Sequence, residues 1–240
     1  MDKDSRILIA CEESGVVAGA FMKRGYKNVW SCDLEPTSGN HPDHHIQQDV
    51  IPLLNGDCSF KTVDGAKHYI DGQWDLIISF PPCTDIAVSG CRWFDKKRAN
   101  GSQEKSIRFF FELWKYSDCT ENPIGILNGG KYINKYFPEL YKEMLDYGFP
   151  FKPSQTVHPY MFGDGERKAT CLWLKNLPLL VPTNIVPIEY VIGKNGKKYT
   201  KTHYGTCFKT DRAEQGRMRS KTYPGLADAM TIWANKKGEA

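Results

Sequence analysis

The fold is decided by residues 6–25, RILIACEESGVVAGAFMKRG. The apolar run Ile7–Ala10 is short and continuous rather than alternating, which is typical of a strand buried on both faces. Polar residues and Ser14-Gly15 follow it, and the next apolar residues recur at helical spacing as far as Gly25. The stretch therefore predicts a strand, a short turn and a helix.

Two further buried strands are predicted downstream. Lys27–Leu34 ends next to an acid, Asp33, and Trp74–Phe80 stops abruptly at Pro81-Pro82. Continuous apolar strands that are separated by helices favour a mostly parallel sheet with helices on both faces. We therefore expect a Rossmann-like α/β fold.

The remaining periodic segments complete the expected domain. Helices are predicted at Ser102–Tyr116, Phe137–Tyr147 and Pro224–Trp233, a strand at Ala169–Leu177, and a strand near Glu121 from the apolar run Ile124–Leu127. Asn195-Gly196, between Tyr190–Ile192 and Lys197–Tyr199, predicts a hairpin with a two-residue turn. Without a repeat or linker, residues 1–240 are expected to form a single domain, with a hairpin insertion at about 183–222 and a returning helix at 223–236.

Composition limits the class of protein. A chain of 240 residues, 40% of them hydrophobic, can bury one good-sized core. No stretch reaches the roughly 18–20 apolar residues of a membrane helix, and Met1–Arg6 lacks a signal-peptide core. The eight cysteines are scattered without a C-x-x-C pair, so reduced thiols are expected. We expect a soluble, cytoplasmic protein with no membrane partner.

Positive charge is concentrated in one segment. The net charge is +4, but residues 194–221 carry nine Lys/Arg against two acids, a local balance of +7 that leaves −3 elsewhere. Such a segment suits phosphate backbones, and a solvated lysine-rich hairpin is an equally good interpretation of the charge alone.

His41, Asp43, His44 and His45 are clustered, but no zinc-ligand spacing matches them, so a polar loop is favoured and no metal is expected.

The ends of the predicted strands carry the candidate binding residues, because open parallel sheets bind ligands at their carboxyl edge. The first strand leads through residues 11–15 to a helix N-terminus, whose N–H groups can meet a ligand; with a single glycine, a plain turn is an equal alternative. Asp33 ends the second strand about 20 residues later, where a carboxylate can accept hydrogen bonds from ribose hydroxyls. Asp49 is a candidate partner for an adenine amino group, or an exposed loop carboxylate.

The strongest local signal is Pro81-Pro82-Cys83. Two prolines fix φ at both positions and remove two donors, which makes a stiff exit from the third strand. A small apolar thiol usually lies within a strand or helix, not at the tip of such a turn. We therefore favour a functional role for Cys83 over a packing role.

On these residues the chain resembles the DNA cytosine-5 methyltransferases, particularly the short phage-type members, which share a strand ending in Pro-Pro-Cys. The resemblance covers most of the chain and implies a class I S-adenosylmethionine-dependent methyltransferase fold. It also implies that the protein acts in a bacterial or phage-infected host cell. It implies S-adenosylmethionine as cofactor, held by Cys11, Glu12, Glu13, Ser14, Gly15, Asp33, Leu34, Asp49, Val50 and Pro81.

The resemblance also implies DNA as the partner. Its substrate and DNA residues would be Pro82, Asn122, Gln155, Lys168, Lys197, Lys198, Lys201, Arg217 and Arg219. Cys83 would add to C6 of a flipped cytosine, so that C5 can take the methyl group, and Glu121 would stabilise charge on the ring. Arg92 and Trp93 lie past the nucleophile. They could hold the DNA strand or pack within the loop, and these are equal alternatives.

Three alternatives remain beside this hypothesis. An amino-group methyltransferase would place an aromatic residue after its Pro-Pro, so Cys83 argues against it. A DNA-binding or decoy protein without turnover is suggested by the single glycine in residues 11–15 and by the lack of arginines around Gln155. A pyrimidine methyltransferase acting on RNA or a free nucleotide would suit the short region between Pro182 and Tyr223. For an enzyme that acts on DNA, the same short region predicts short or relaxed sequence specificity.

Overall fold

A seven-stranded sheet forms the centre of the protein, for which a computed structural model describes residues 2–207 and 211–236. The strands of these residues are β1 (Ile7–Ala10), β2 (Val29–Asp33), β3 (His45–Gln47), β4 (Cys58–Lys61), β5 (Lys67–Ile70), β6 (Leu76–Ser79), β7 (Cys119–Pro123), β8 (Gln155–Val157), β9 (Thr170–Leu174), β10 (Tyr190–Ile192) and β11 (Lys198–Thr200). The sheet order is β3-β2-β1-β6-β7-β9-β8, and β4-β5 and β10-β11 are separate hairpins.

All neighbours in the sheet are parallel except at β9, which is antiparallel to both β7 and β8. The chain starts in the middle with β1, runs outward to β3, and returns to the other side of β1 as β6. The carboxyl ends of β1 and β6 therefore flank a topological switch point, which is where open α/β sheets bind ligands.

Helices cover both faces of the sheet, as the continuous apolar strands predict. They are α1 (Val16–Lys23), α2 (Phe94–Ala99), α3 (Ser102–Tyr116), α4 (Lys131–Tyr136), α5 (Pro138–Asp146), α6 (Lys201–Cys207), α7 (Arg212–Ser220), α8 (Pro224–Met230) and α9 (Trp233–Lys236). Ile7 and Ile9 pack with α1 and α8, whereas Leu8 and Ala10 face the layer that contains Leu113 of α3. The mostly parallel α/β fold, compatible with a Rossmann-like fold, is thereby confirmed. Each described helix is too short or too polar to cross a bilayer.

Four predicted elements differ in detail. The strand near Glu121 is Cys119–Pro123, which contains the acid, while Ile124–Leu127 forms a turn. The hairpin turn has three residues, 194–196, because Gly193 N bonds to Lys197 O and Gly196 takes the left-handed φ of 73°.

The C-terminal segment 223–236 is two helices rather than one. Thr231 closes α8 early, since both its N–H and its hydroxyl donate to the carbonyl of Asp228. The insertion at 183–222 contains α6 and α7 in addition to the predicted hairpin.

Candidate active site

Cys83 lies on a short loop that leaves β6 at the switch point. The Phe80 N–H donates to the Ala10 carbonyl at 2.9 Å, which holds the end of β6 against β1. The Cys83 carbonyl then accepts from Ile86 N at 3.1 Å and Ala87 N at 2.9 Å. The half-buried thiol is therefore held at the first residue of a tight turn, as the two preceding prolines predict.

Lys97 fixes the loop from the other side. Its Nζ donates to the Thr84 carbonyl and lies 3.1 Å from Oδ1 of Asp85. Asp85 in turn accepts from the Ser106 hydroxyl at 2.9 Å. Sequence reasoning missed this clamp, because one lysine in the run Lys96-Lys97-Arg98 carries no signal that distinguishes it from its neighbours.

Glu121 lies on β7, the strand next to β6. Its side chain is buried, and within the described residues its Oε1 atom has no hydrogen-bond partner. Burial raises the pKa of the Glu121 carboxyl, and the positive charge of Lys168 acts in the opposite direction. A buried carboxyl with one unsatisfied oxygen suits a ligand that supplies the missing hydrogen bond.

The thiol and the carboxyl interact electrostatically. Burial raises the pKa of Cys83 and the charge of Glu121 raises it further, whereas Lys168 and Lys97 lower it. Cys83, Glu121 and Lys168 therefore form one electrostatic group. A nucleophile next to a carboxyl that favours its protonated form is suited to addition chemistry on a ring that gains negative charge.

Asn122 follows Glu121 on β7, so its side chain points to the opposite face of the sheet. Its Nδ2 donates to the Pro81 carbonyl at 3.3 Å, and its buried Oδ1 finds no partner among the described residues. Asn122 therefore holds the prolyl turn rather than sharing the surroundings of Glu121. The Pro81 and Pro82 backbone is in this way tied to β7.

Residues 11–15 form the turn between β1 and α1. Cys11 adopts a left-handed φ of 58°, and Glu12 turns back to accept from Val17 N at 2.5 Å and Ala18 N at 3.2 Å. Burial raises the pKa of Glu12 to about 7. The Glu12 carboxylate thus caps the N-terminus of α1, which is a structural role that the sequence did not predict.

Acidic side chains collect at the ends of β1, β2 and β3. Asp33 ends β2 and Asp49 follows β3, in strands parallel to β1, and both charges raise the pKa of the Cys11 thiol, after burial. Burial raises the pKa of Asp33, whose Oδ1 accepts from Glu35 N. Leu34 is 71% exposed, whereas Val50 is buried. The predicted cofactor residues of these strands therefore meet at one edge of the sheet.

The insertion is attached to the same edge. Lys168 Nζ donates to the Arg219 carbonyl at 3.1 Å, and Lys221 Nζ donates to the Ser38 hydroxyl at 3.0 Å. A cavity of 320 Å³ lies between the loops after β1 and β2 and helix α7, and it is lined by Glu13, Glu35, Pro36, Ser38, Glu214, Arg217, Met218 and Lys221. Arg217 therefore faces the side of the predicted cofactor residues.

The predicted substrate residue Gln155 is bonded to the protein backbone. Both atoms of the Gln155 amide are bonded to the backbone of Leu180, at 2.7 and 2.9 Å. Gln155 begins β8, and its partner Leu172 on β9 also pairs with Glu121, so Gln155 lies level with Glu121 two strands away. Its amide holds the chain at Leu180, and a role at the substrate stays a prediction.

The hairpin lysines project from the insertion rather than from the sheet. Lys197 is exposed, Lys198 lies 4.0 Å from the ring of Tyr190, and Lys201 pairs with Glu189 at 2.9 Å.

No group of three potential metal ligands occurs among the described residues. His45, from the histidine cluster, is buried with its ring between the Ser31 hydroxyl and the Glu35 carbonyl.

No protein-family model matches this chain, and no curated protein matches it.

Proposed function

We propose that this protein is an S-adenosylmethionine-dependent DNA cytosine-5 methyltransferase with Cys83 as nucleophile. The observation that carries the proposal is the buried Glu121 carboxyl, with an unsatisfied Oε1, in the electrostatic reach of the Cys83 thiol. Cytosine offers both groups a partner, since C6 accepts a nucleophile and N3 and the exocyclic amine lie on one edge of the ring. The switch-point location of the Cys83 loop supports the proposal further.

The residues at the ends of β1–β3 fit the implied cofactor. S-adenosylmethionine carries a sulfonium, an ammonium and two ribose hydroxyls, and a cluster of acids can bind all of these groups. Asp33 would accept from the ribose hydroxyls and Asp49 from the adenine amine, with Leu34 exposed beside them. When bound, the cofactor supplies an electrophilic methyl group. The carboxyl of Glu12 is occupied by α1, so it would shape this site rather than contact the ligand.

The side chains of Cys83 and Glu121 account for activation of the cytosine ring. Cys83 Sγ, once deprotonated, forms a bond to C6, and the electrons of the C5–C6 double bond move to C5. Glu121, whose raised pKa favours the protonated form, donates to N3 and stabilises the charge that addition places on the ring. After transfer, loss of the C5 proton and departure of the Cys83 sulfur restore the aromatic ring.

DNA is the proposed partner, and the target cytosine must leave the helix to reach a half-buried thiol. The basic segment supports this, because Lys168, whose charge acts on Cys83, donates to the carbonyl of Arg219 in that segment. Lys197, Lys198 and Lys201 would contact phosphates farther along the duplex.

Transfer of a labelled methyl group tests the proposal. Wild type, Cys83→Ser, Glu121→Gln and Cys91→Ser are incubated with labelled S-adenosylmethionine and duplex DNA, RNA or free cytidine nucleotide. We expect label in DNA with wild type and Cys91→Ser, and a loss of about 100-fold or more in the other two variants. Cys91 is an exposed cysteine and serves as the matched control.

The other outcomes assign the alternatives. Label in RNA or nucleotide alone would replace DNA as substrate. No label anywhere, with cofactor still bound by the wild type, would overturn the proposal in favour of a decoy protein. DNA that contains 5-fluorocytosine tests the covalent step, because fluorine at C5 blocks elimination and leaves Cys83 attached.

A further inference from the structure

A second basic surface lies beside the Cys83 loop, outside the basic segment 194–221. It is formed by Arg92, Trp93, helix α2 and helix α4, and is called the α2–α4 surface below. Residues 92–100 and 130–136 hold six Lys/Arg against one acid, Asp95. The exposed cations among them are Arg92, Lys96, Lys131 and Lys135.

Trp93 is the most unusual residue of this surface. It is 48% exposed, and the Arg92 guanidinium lies 5.1 Å from the centre of its ring. The buried position belongs to the next residue, Phe94, which packs edge-on against Tyr132 at 5.4 Å. Core packing therefore does not account for Trp93, and its exposed ring is available for stacking.

A second aromatic group stands on α4. Tyr136 is 38% exposed, with the Arg98 guanidinium 4.0 Å and the Lys135 Nζ 4.9 Å from its ring centre. Cations held on aromatic rings keep their charge exposed while their orientation is restrained. Interleaved cations and aromatic rings are the composition of surfaces that bind nucleic-acid strands, through phosphates and base faces together.

The surface is rigidly joined to the candidate active site. Tyr132 Oη donates to the Gln103 side chain at 2.9 Å, and Gln103 Nε2 donates to the Asp85 carbonyl at 2.9 Å. Gly90, in the same segment as Trp93, packs so closely on the Cys83 loop that an added Cβ would lie 3.1 Å from the Thr84 carbonyl oxygen. A nucleic-acid strand that reached Cys83 would pass next to this surface.

We propose that the α2–α4 surface binds the DNA strand that flanks the target base, with Trp93 stacked on a base and the exposed lysines on phosphates. This inference rests on the proposed function. DNA is the occupant that fits, because the surface combines excess positive charge with exposed rings. DNA would then be held from two sides, by the insertion and by the α2–α4 surface.

DNA binding by the full chain tests the inference without turnover. Fluorescence anisotropy of a labelled duplex is measured against salt for wild type, Lys96→Ala/Lys135→Ala, Trp93→Ala and Trp93→Phe. Lys61→Ala/Lys67→Ala, on the exposed β4-β5 hairpin, is the control with equal charge change. We expect the first double variant to reduce the slope of log K against log salt by about 2, and the control to leave it unchanged.

Stacking is measured separately with 2-aminopurine next to the target cytosine. We expect Trp93→Ala to weaken binding about tenfold and to abolish quenching of the probe, and Trp93→Phe to preserve most of both. Wild-type affinity and quenching in the surface variants would overturn the inference, as would an effect on RNA binding alone. If the wild type methylates DNA in that case, the proposed function stands; if it binds no DNA, both fail.

Discussion

Gly125 passes directly under the loop that carries Cys83: a Cβ built on Gly125 would lie 2.2 Å from the carbonyl oxygen of Ile86. The Ile126 N–H donates to the same carbonyl at 2.9 Å, and Val88 N donates to Ile124 O at 3.1 Å. The segment after Cys83 and the segment after Glu121 thus hold each other in place. The relative position of the thiol and the carboxyl depends on this contact.

Gly125→Ala is therefore expected to damage the site. The backbone of Ile86 must move to admit a methyl group, which should lower the free energy of unfolding by about 1–3 kcal/mol and reduce methyl transfer more than DNA affinity. Gly19→Ala is the matched control, because Gly19 lies within α1 with open space around it, and alanine should stabilise that helix by roughly 0.5–1 kcal/mol. Urea titration and transfer rates measure both effects. Full activity in Gly125→Ala would show that the contact does not position Cys83.

Reactivity of the thiol reports on the electrostatic group without any substrate. Glu121 raises the pKa of Cys83 and Lys168 lowers it. Alkylation of Cys83 by iodoacetamide should therefore shift to lower pH in Glu121→Gln and to higher pH in Lys168→Met, because the thiolate is the reactive form. Peptide mass spectrometry follows Cys83 and the exposed Cys91 in one sample. Shifts of both cysteines together, or none at Cys83, would contradict the arrangement.

The clamp on the Cys83 loop gives a third prediction. Lys97→Met removes the donor to the Thr84 carbonyl and the partner of Asp85, so the loop should become less ordered. We expect kcat to fall at least tenfold with a smaller change in KM, and the free energy of unfolding to fall by about 1–2 kcal/mol. Lys142→Met, an exposed lysine on α5, is the control. Equal kinetics in the two variants would rule out a positioning role for Lys97.

The elements that the sequence predicted well are those determined by local pattern. Ile7–Ala10 and Leu76–Ser79 are continuous apolar runs, and a run of this kind is buried on both faces whatever its neighbours. The position of Cys83 on a stiff turn after β6 was predictable, because the two prolines before it restrict the backbone locally. Glu121 was placed next to a strand from an apolar run, but the strand itself is fixed by pairing with β9, a contact between distant residues.

The elements that were missed depend on tertiary contacts. Helix α6 contains Thr202 and Gly205, which are weak helix formers, and its first turn is held by the buried Glu166, whose carboxylate accepts from Thr202 N. The two bonds between the Gln155 amide and the backbone of Leu180 were likewise not predicted. Residue type alone does not distinguish these roles, because each depends on which distant backbone group comes near.

Glu12 predicts an unusual dependence of stability on pH. Burial raises its pKa from an ordinary 4.5 to about 7 in the folded protein, so between these values the folded state binds more protons than the unfolded state. The free energy of unfolding should therefore fall as pH rises from about 4.5 to about 7, by on the order of 3 kcal/mol from this group, and then level off.

Glu12→Gln keeps the shape and one acceptor for the α1 N-terminus but cannot titrate. We expect the variant to lose this part of the pH dependence, so that its stability relative to wild type improves between about pH 4.5 and pH 7 and then stays constant. Urea denaturation of both proteins at unit steps of pH measures the difference, and Glu13→Gln, on the half-buried neighbouring acid, is the control. Parallel pH profiles for wild type and Glu12→Gln would mean that Glu12 is ionised throughout and that the helix N-terminus fully offsets its burial.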